Sequence, residues 1–442
     1  MSARRDAGPG RRRRILLVNQ HYWPDHASTA QHLADLAEAL AEEGHDVHVI
    51  CSRAGSRPGG PPRARREARR GVTIHRVGAT GLGRASTLRR MVDYLSFHQL
   101  ALARALTLPR FDVVVTLTTP PLIAVVGQAL RRLRGTRHVS WSMDLHPDAS
   151  LALGRMSTRN AAHRALASLS DALYRGADRV VALGPYMADR LQRKGVPNER
   201  IATIPVWSRR DEVYPMPRDG HPLRAALGLA DKFVVMYSGN HGLAHTFDAL
   251  LDAARRLKDR DDIVFLFVGD GPRRREVTLA RDGAGLDNIR LLDFFPREHL
   301  HASLSLADLH VVSLRPEMTG ICVPGKLYGA MASGRPVLFI GPPRCEVADT
   351  VTEHGCGEVV GPHDGAAAAR AITRLADDPE LAETRGEAGL AAFVENYERE
   401  PCCAAWCWML DELLDGTVSP DFTSAGETAE EPAARPTARA RT

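Results

Sequence analysis

Residues 311–340, VVSLRPEMTGICVPGKLYGAMASGRPVLFI, set a buried strand, an irregular loop, a helix start and a second strand within one short stretch. Val311, Val312 and Leu314 end an apolar run, Arg315 to Cys322 carry no period, and Pro324-Gly325 precede a helical pattern of Leu327, Tyr328 and Met331. Proline is tolerated at a helix start because the first N–H groups have no intrahelical acceptor. The same N–H groups and the helix dipole favour an anion, and Lys326 adds a full positive charge beside them. A diphosphate is the anion this arrangement suits. Gly334 closes the helix, and Arg335-Pro336 lead into a strand from Val337 to Ile340.

Working outward, apolar run, glycine-rich loop and helix alternate on both sides. Toward the N-terminus, Ile15 to Val18 is a continuous apolar run, followed by a loop from Asn19 to Ser28. Leu33, Leu36, Ala37, Leu40 and Ala41 then recur at helical spacing, Gly44 stops the helix, and Val47 to Cys51 starts another strand. Strand, loop, helix and strand in that order make a right-handed parallel unit. Further strands are expected at Phe111–Thr116, His138–Met143, Val180–Leu183 and Ile201–Pro205, and in the second half at Phe233–Tyr237, Ile263–Val268 and Ile289–Leu292. Ligands of such sheets bind beyond the carboxyl ends of the strands. Tyr22, Trp23, Asp25 and His26 stand at one such end, either as acceptor contacts or as a packed aromatic turn; Asp144, His146 and Asp148 stand at another.

The expected organisation is a disordered lead (1–13), a first α/β domain (14–207), a linker (208–221), a second α/β domain (222–396), a helix returning to the first (397–414), and a disordered tail (415–442). With 442 residues, 44% apolar and 25% charged, the chain suits two soluble globular domains. Residues 1–208 carry a net charge of +16 and the remainder −11. A basic first half suits an anionic membrane surface, a lipid phosphate or nucleic acid. Residues 52–70, SRAGSRPGGPPRARREARR, read as a solvated linker or as a contact for lipid phosphate. From Thr87 to Leu106, a stripe of Leu88, Met91, Val92, Leu95, Leu102 and Leu106, flanked by Arg89, Arg90 and Arg104, either packs on a sheet or lies among headgroups. The seven cysteines are an odd number without zinc-finger spacing, which favours a reducing compartment and no structural metal. Arg11 to Arg14 precede no apolar region of signal length, and no stretch reaches the ~20 residues of a membrane span. The expected location is the cytoplasm, with peripheral attachment to the inner membrane face.

VPGKLYGAMASGRPVL resembles the signature loop and helix of glycosyltransferase family 4, retaining enzymes, in the branch that writes a Pro-Ser-Lys-like loop. ILLVNQHYWPD, MDLHPDASLALG, VVMYSGNHGLAHTFDALLDAA, FLFVGDGPRRRE and LLDFFPREHLHASLSLADLHVV agree with it in order. The resemblance implies a GT-B architecture: two doubly wound, Rossmann-like domains facing across a cleft, acceptor half first and nucleotide-sugar half second. It implies transfer of a hexosyl or N-acetylhexosaminyl group from a nucleoside diphosphate sugar, UDP foremost, to an acceptor hydroxyl, with retention and without a metal or other cofactor. A polyprenyl-linked acceptor at an anionic membrane is the implied partner, and nucleic acid is not. Asp144 and Lys326 are the implied catalytic groups. Gly239, Asn240, His241, Phe295, Pro296, Glu317, Thr319, Gly320, Ile321 and Lys326 are the implied donor contacts, and Tyr22, Trp23, His26 and His146 the acceptor contacts.

The sequence departs from the family pattern twice. The Arg and Lys that relatives keep near the loop 238–242 are replaced by Asn240, His241 and His245. The ribose-binding glutamate is replaced by Gly329. Three alternatives stay open: an epimerase of the same fold, a natural-product glycosyltransferase with a soluble acceptor, and a nucleotide-sugar-binding protein without catalysis.

Overall fold

The computed structural model describes residues 11–25, 27–55, 63–78 and 87–416. The first half is an eight-stranded sheet of β1 (Arg14–Val18), β2 (Asp46–Ser52), β3 (Arg66–Arg69), β4 (Val72–Val77), β5 (Val113–Thr116), β6 (Arg137–Trp141), β7 (Arg179–Ala182) and β8 (Ile201–Thr203), ordered β3-β4-β2-β1-β5-β6-β7-β8. All pairs are parallel except β3–β4. The second half is wholly parallel: β9 (Phe233–Ser238), β10 (Ile263–Val268), β11 (Ile289–Leu292), β12 (Leu309–Ser313), β13 (Val337–Ile340) and β14 (Gly357–Val360), ordered β11-β10-β9-β12-β13-β14. The central strands β1, β5, β9, β10, β12 and β13 are nearly continuous apolar runs because helices cover both faces of each sheet. Strand order reverses between β1 and β5 and again between β9 and β12, and at such points loops diverge to leave a crevice.

Two expectations need correction. The basic segment 52–70 is not a free linker throughout: Arg66–Arg69 pairs antiparallel with β4 as the edge strand, and residues 56–62 lie outside the described residues. Three of its arginines pair with buried carboxylates, while Arg65 and Arg66 stay exposed. Arg69 and Arg70 both bind the buried carboxylate of Glu38, and Arg63 lies 3.5 Å from Asp25. The helix Thr87–Thr107 buries Phe97, Ala101 and Ala105, whereas Met91 and Leu95 of the expected stripe are 52% and 60% exposed. The side chain of Leu88, the lead 1–10 and the tail 417–442 also lie outside the described residues. Among the described residues no helix is long and apolar enough to cross a membrane.

The chain crosses between the halves twice, side by side: Ser208 N–H donates to the Tyr397 carbonyl and Arg399 N–H to the Ser208 carbonyl. The final helix, Arg399–Asp415, then lies against Ser28–Glu42. There Trp406 meets Trp141 at 4.6 Å, and Trp141 stacks on Trp207 at 5.8 Å. Cys402 and Cys403 are buried in the same seam.

Candidate functional site

The donor half of the site is built from three loops at the carboxyl ends of β9, β10 and β12. The turn after β10 docks onto the loop after β9: His241 N–H donates to the Asp270 carbonyl at 2.8 Å, and Gly239 N–H to the Val268 carbonyl at 2.9 Å. Gly269 (φ +123) and Gly271 (φ +150) permit this approach, since a Cβ would stand 2.2 Å from the Gly239 carbonyl oxygen and 2.6 Å from Asn240 Oδ1.

Into this cradle Lys326 reaches from the start of the helix Lys326–Ala332. Its Nζ donates to Tyr237 Oη at 2.5 Å, His245 Nε2 at 3.3 Å and the Asn240 carbonyl at 3.5 Å, and it sits 4.0 Å above the Tyr237 ring. The stem leaves part of the residue open, but the ammonium is enclosed, and that loss of hydration holds its pKa down to about 7. Burial likewise lowers His241 to about 4 and His245 well below the ordinary range. Both ring nitrogens of buried His241 lack a hydrogen-bond partner. Lys326, from the start of its helix, thus brings a positive charge to the loop after β9.

The first half meets the loop before Lys326 directly. Asp144 pairs with Cys322 in an isolated bridge, and Leu145 N–H donates to the Ile321 carbonyl at 2.9 Å. The enclosed Asp144 carboxyl is pushed above the usual range by burial, the His146 charge opposing this. Asp144 and His146 line one narrow crevice of about 20 Å³ with Thr118 and Tyr174. Trp23 faces a different cavity, of about 260 Å³, with Arg69 stacked on its ring at 4.5 Å. Tyr22 is only 1% exposed and belongs to the core, so the packed-turn reading holds for it and the acceptor reading does not. His26 lies outside the described residues.

The donor loop also differs from expectation in part. Ile321 is a core residue, Gly320 (φ +65) lies where a Cβ would stand 2.5 Å from the Tyr186 carbonyl oxygen, and the Thr319 carbonyl accepts from Arg190 Nε at 2.7 Å. Gly320 and Ile321 therefore join the halves, as does the Thr319 carbonyl, whereas the Thr319 hydroxyl stays at the surface, donating to the Pro316 carbonyl at 2.9 Å. Glu317 is exposed beside Arg315, 3.6 Å away. Phe295 is half-buried in the second domain and Pro296 is exposed, while the ring standing out beside Gly269 is that of Phe294, 51% exposed.

Sequence reading missed Tyr237 as a seat for Lys326, Phe294 as an exposed ring, and Glu346. The Glu346 carboxylate crosses between halves to accept from Met187 N–H at 3.0 Å. The first was detectable: Tyr237 is the penultimate residue of β9, two positions before Gly239.

Residues 29–207 match the model of the glycosyl transferase 4-like domain, and residues 232–378 that of glycosyl transferases group 1. The chain is 29% identical over 271 residues to the probable glycosyltransferase WbjE of Pseudomonas aeruginosa, covering 61% of this chain and 67% of that one. It is 26% identical over 344 residues to the putative colanic acid biosynthesis glycosyl transferase WcaI of Escherichia coli, covering 73% and 81%. The fold is shared with HepE of Anabaena, solved in complex with UDP-glucose: TM-score 0.68, 17% identity, 90% of this chain and 100% of that one.

Proposed function

The chain is a glycosyltransferase of the GT-B architecture, and we propose that it is a family 4 enzyme moving a hexosyl or N-acetylhexosaminyl group, with retention, from a UDP-sugar to an acceptor hydroxyl. The observation that carries this is the convergence of the Lys326 ammonium with the glycine-rich loops after β9 and β10 at the strand-order reversal. A fixed cation beside the leaving diphosphate stabilises the charge that develops as the glycosidic bond breaks, the role a divalent ion plays elsewhere. We therefore write the reaction without a metal. Asp144, whose neighbour Leu145 hydrogen-bonds to Ile321 of the loop before Lys326, is assigned the role of orienting the reacting sugar. Trp23 and His146, which line separate cavities, are assigned as the acceptor contacts. UDP is supported by the UDP-glucose complex of HepE, and cell-surface polysaccharide or glycolipid assembly by the likeness to WcaI.

The acceptor is read as lipid-linked, at an anionic membrane. Eight exposed large apolar side chains lie on three contacting helices of the first half: Met91, Val92, Leu95 and Leu100 on Thr87–Thr107, Val125 and Leu133 on Ala124–Arg134, and Leu166 and Leu169 on Ala161–Gly176. Arg132 and Arg164 stand exposed on the last two. Apolar side chains interspersed with arginine suit a headgroup layer.

A panel of labelled nucleotide sugars incubated with membrane extract tests the whole reading. Label in the lipid fraction supports it. Label on a soluble acceptor moves the enzyme to natural-product chemistry, an isomerised donor makes it an epimerase, and donor binding without turnover makes it a binding protein.

A further inference from the structure

Lys326 is held by neutral groups alone, and the hydrogen bonds fix which proton sits where. The Ser313 carbonyl can only accept, so His245 Nδ1, 2.6 Å away, carries the proton. His245 Nε2 is then left as a lone pair, and it faces Lys326 Nζ. The Tyr237 hydroxyl donates to the Asn240 carbonyl at 2.9 Å and so also turns a lone pair toward Lys326. The Asn240 carbonyl, 3.5 Å away and already accepting from Tyr237, is a longer third neighbour, so one N–H of the ammonium is left for an incoming phosphate oxygen. Among the described residues no carboxylate pairs with Lys326.

We propose that His245 is the positioning residue of the donor site: a neutral imidazole, oriented by the Ser313 carbonyl, that aims the Lys326 ammonium, with diphosphate capture at this pair taking up one proton. The proposal rests on the donor site assigned above. Of the groups around the pair, Cys322 acts to keep the proton on Lys326, whereas Lys326, His241 and Arg273 all disfavour a second proton on His245. Arg273 donates to the His245 carbonyl while bound to Glu276, and Arg274 is bound to Asp293. His241 adds an uncharged ring, Tyr237 an un-ionised phenol, and Cys322 a thiol that burial keeps protonated. A second proton on His245 would set two cations 3.3 Å apart in a desolvated site. The empty site therefore favours release of a proton from Lys326, and its pKa of about 7 agrees. An arriving diphosphate supplies the missing negative charge and restores the ammonium.

The test is calorimetric titration with UDP-glucose, whose diphosphate diester keeps its charge across the range, in two buffers of different ionisation enthalpy. Uptake of one proton makes the wild-type dissociation constant rise about tenfold per pH unit above roughly pH 7. His245→Leu is expected to weaken binding about tenfold or more and to shift that midpoint, whereas His245→Gln, which keeps an acceptor for Lys326, recovers most of the affinity. Circular dichroism checks that both variants fold. Unchanged affinity and midpoint in His245→Leu overturn the positioning role. A flat pH profile, with Lys326→Ala still abolishing binding, overturns proton uptake while leaving the donor site in place. Unchanged UDP-glucose binding in Lys326→Ala overturns the donor site itself and this proposal with it.

Discussion

On the proposed function, Lys326 meets two opposed demands, charge for the leaving group and cost to the fold. Lys326→Met should lower turnover by ~10²-fold or more in the donor assay, because a positioned cation acts mainly on the transition state. A loss of less than about threefold would place the diphosphate elsewhere. The same variant should make the ligand-free protein harder to melt. The folded pKa lies near 7 and the unfolded near 10.5, so between them the unfolded chain binds more protons, and wild-type stability gains with rising pH across that window. The advantage of Lys326→Met should then be largest below about pH 7 and fade toward alkaline pH, as thermal melts at several pH values would show. At Gly329, a Cβ meets nothing closer than Leu304 Cδ1 at 3.4 Å. Alanine there should stabilise the helix by up to about 1 kcal/mol in denaturant titrations with donor affinity unchanged. A lower stability would mean that the helix cannot accept a side chain on that face.

The elements that sequence announced best are those whose burial leaves no choice of pattern. Val337–Ile340 and Phe233–Tyr237 are central parallel strands, apolar throughout, and both were legible. The strand Arg66–Arg69 was not, because an edge strand takes charged residues and so looks like a basic loop. As a strand, it carries stability through its arginines. Arg69→Ser leaves the buried Glu38 with one partner fewer, and the double change Arg69→Ser and Arg70→Ser strips it of both arginines, a loss on the order of 3 to 5 kcal/mol in denaturant unfolding. Unaltered stability of the double variant would make Glu38 a solvated group instead. The membrane contact proposed above rests on the exposed apolar side chains of the helices rather than on that loop. Leu95→Asp with Leu133→Asp should abolish co-sedimentation with anionic vesicles while the melting curve holds, since both leucines are exposed. Equal binding by wild type and variant would remove this face from consideration.

At the scale of the molecule, the crevice between the halves is closed by contacts that sequence separation hides. Glu346 lies 159 positions from Met187, and Arg190 lies 129 from Thr319. No local pattern marks such pairs, which is why Lys326 was legible from its loop while the latch and the His245–Ser313 pairing were not. Gly184 sits against the latch: a Cβ there would stand 2.3 Å from Glu346 Cγ. Gly184→Ala and Glu346→Ala should therefore both enlarge the radius of gyration in X-ray scattering and lower kcat/KM about tenfold, by leaving Asp144 apart from the donor loop. Scattering curves identical to wild type would show that the remaining cross-domain hydrogen bonds suffice.

The tryptophan seam of Trp141, Trp207 and Trp406 has a consequence for how the protein is made. The first half leaves the ribosome lacking the residue that caps its own seam, and that residue arrives only after the entire second half has been translated. At ~5 to 20 residues per second, the gap between Trp207 and Trp406 spans roughly 10 to 40 s. For that interval the nascent first domain presents an uncovered aromatic surface, a natural ligand for a holdase. We expect ribosome-stalled chains ending before Arg399 to be bound by trigger-factor-type chaperones, and chains extended past Asp415 to be released. Equal capture of the two would show that the seam closes without its third tryptophan.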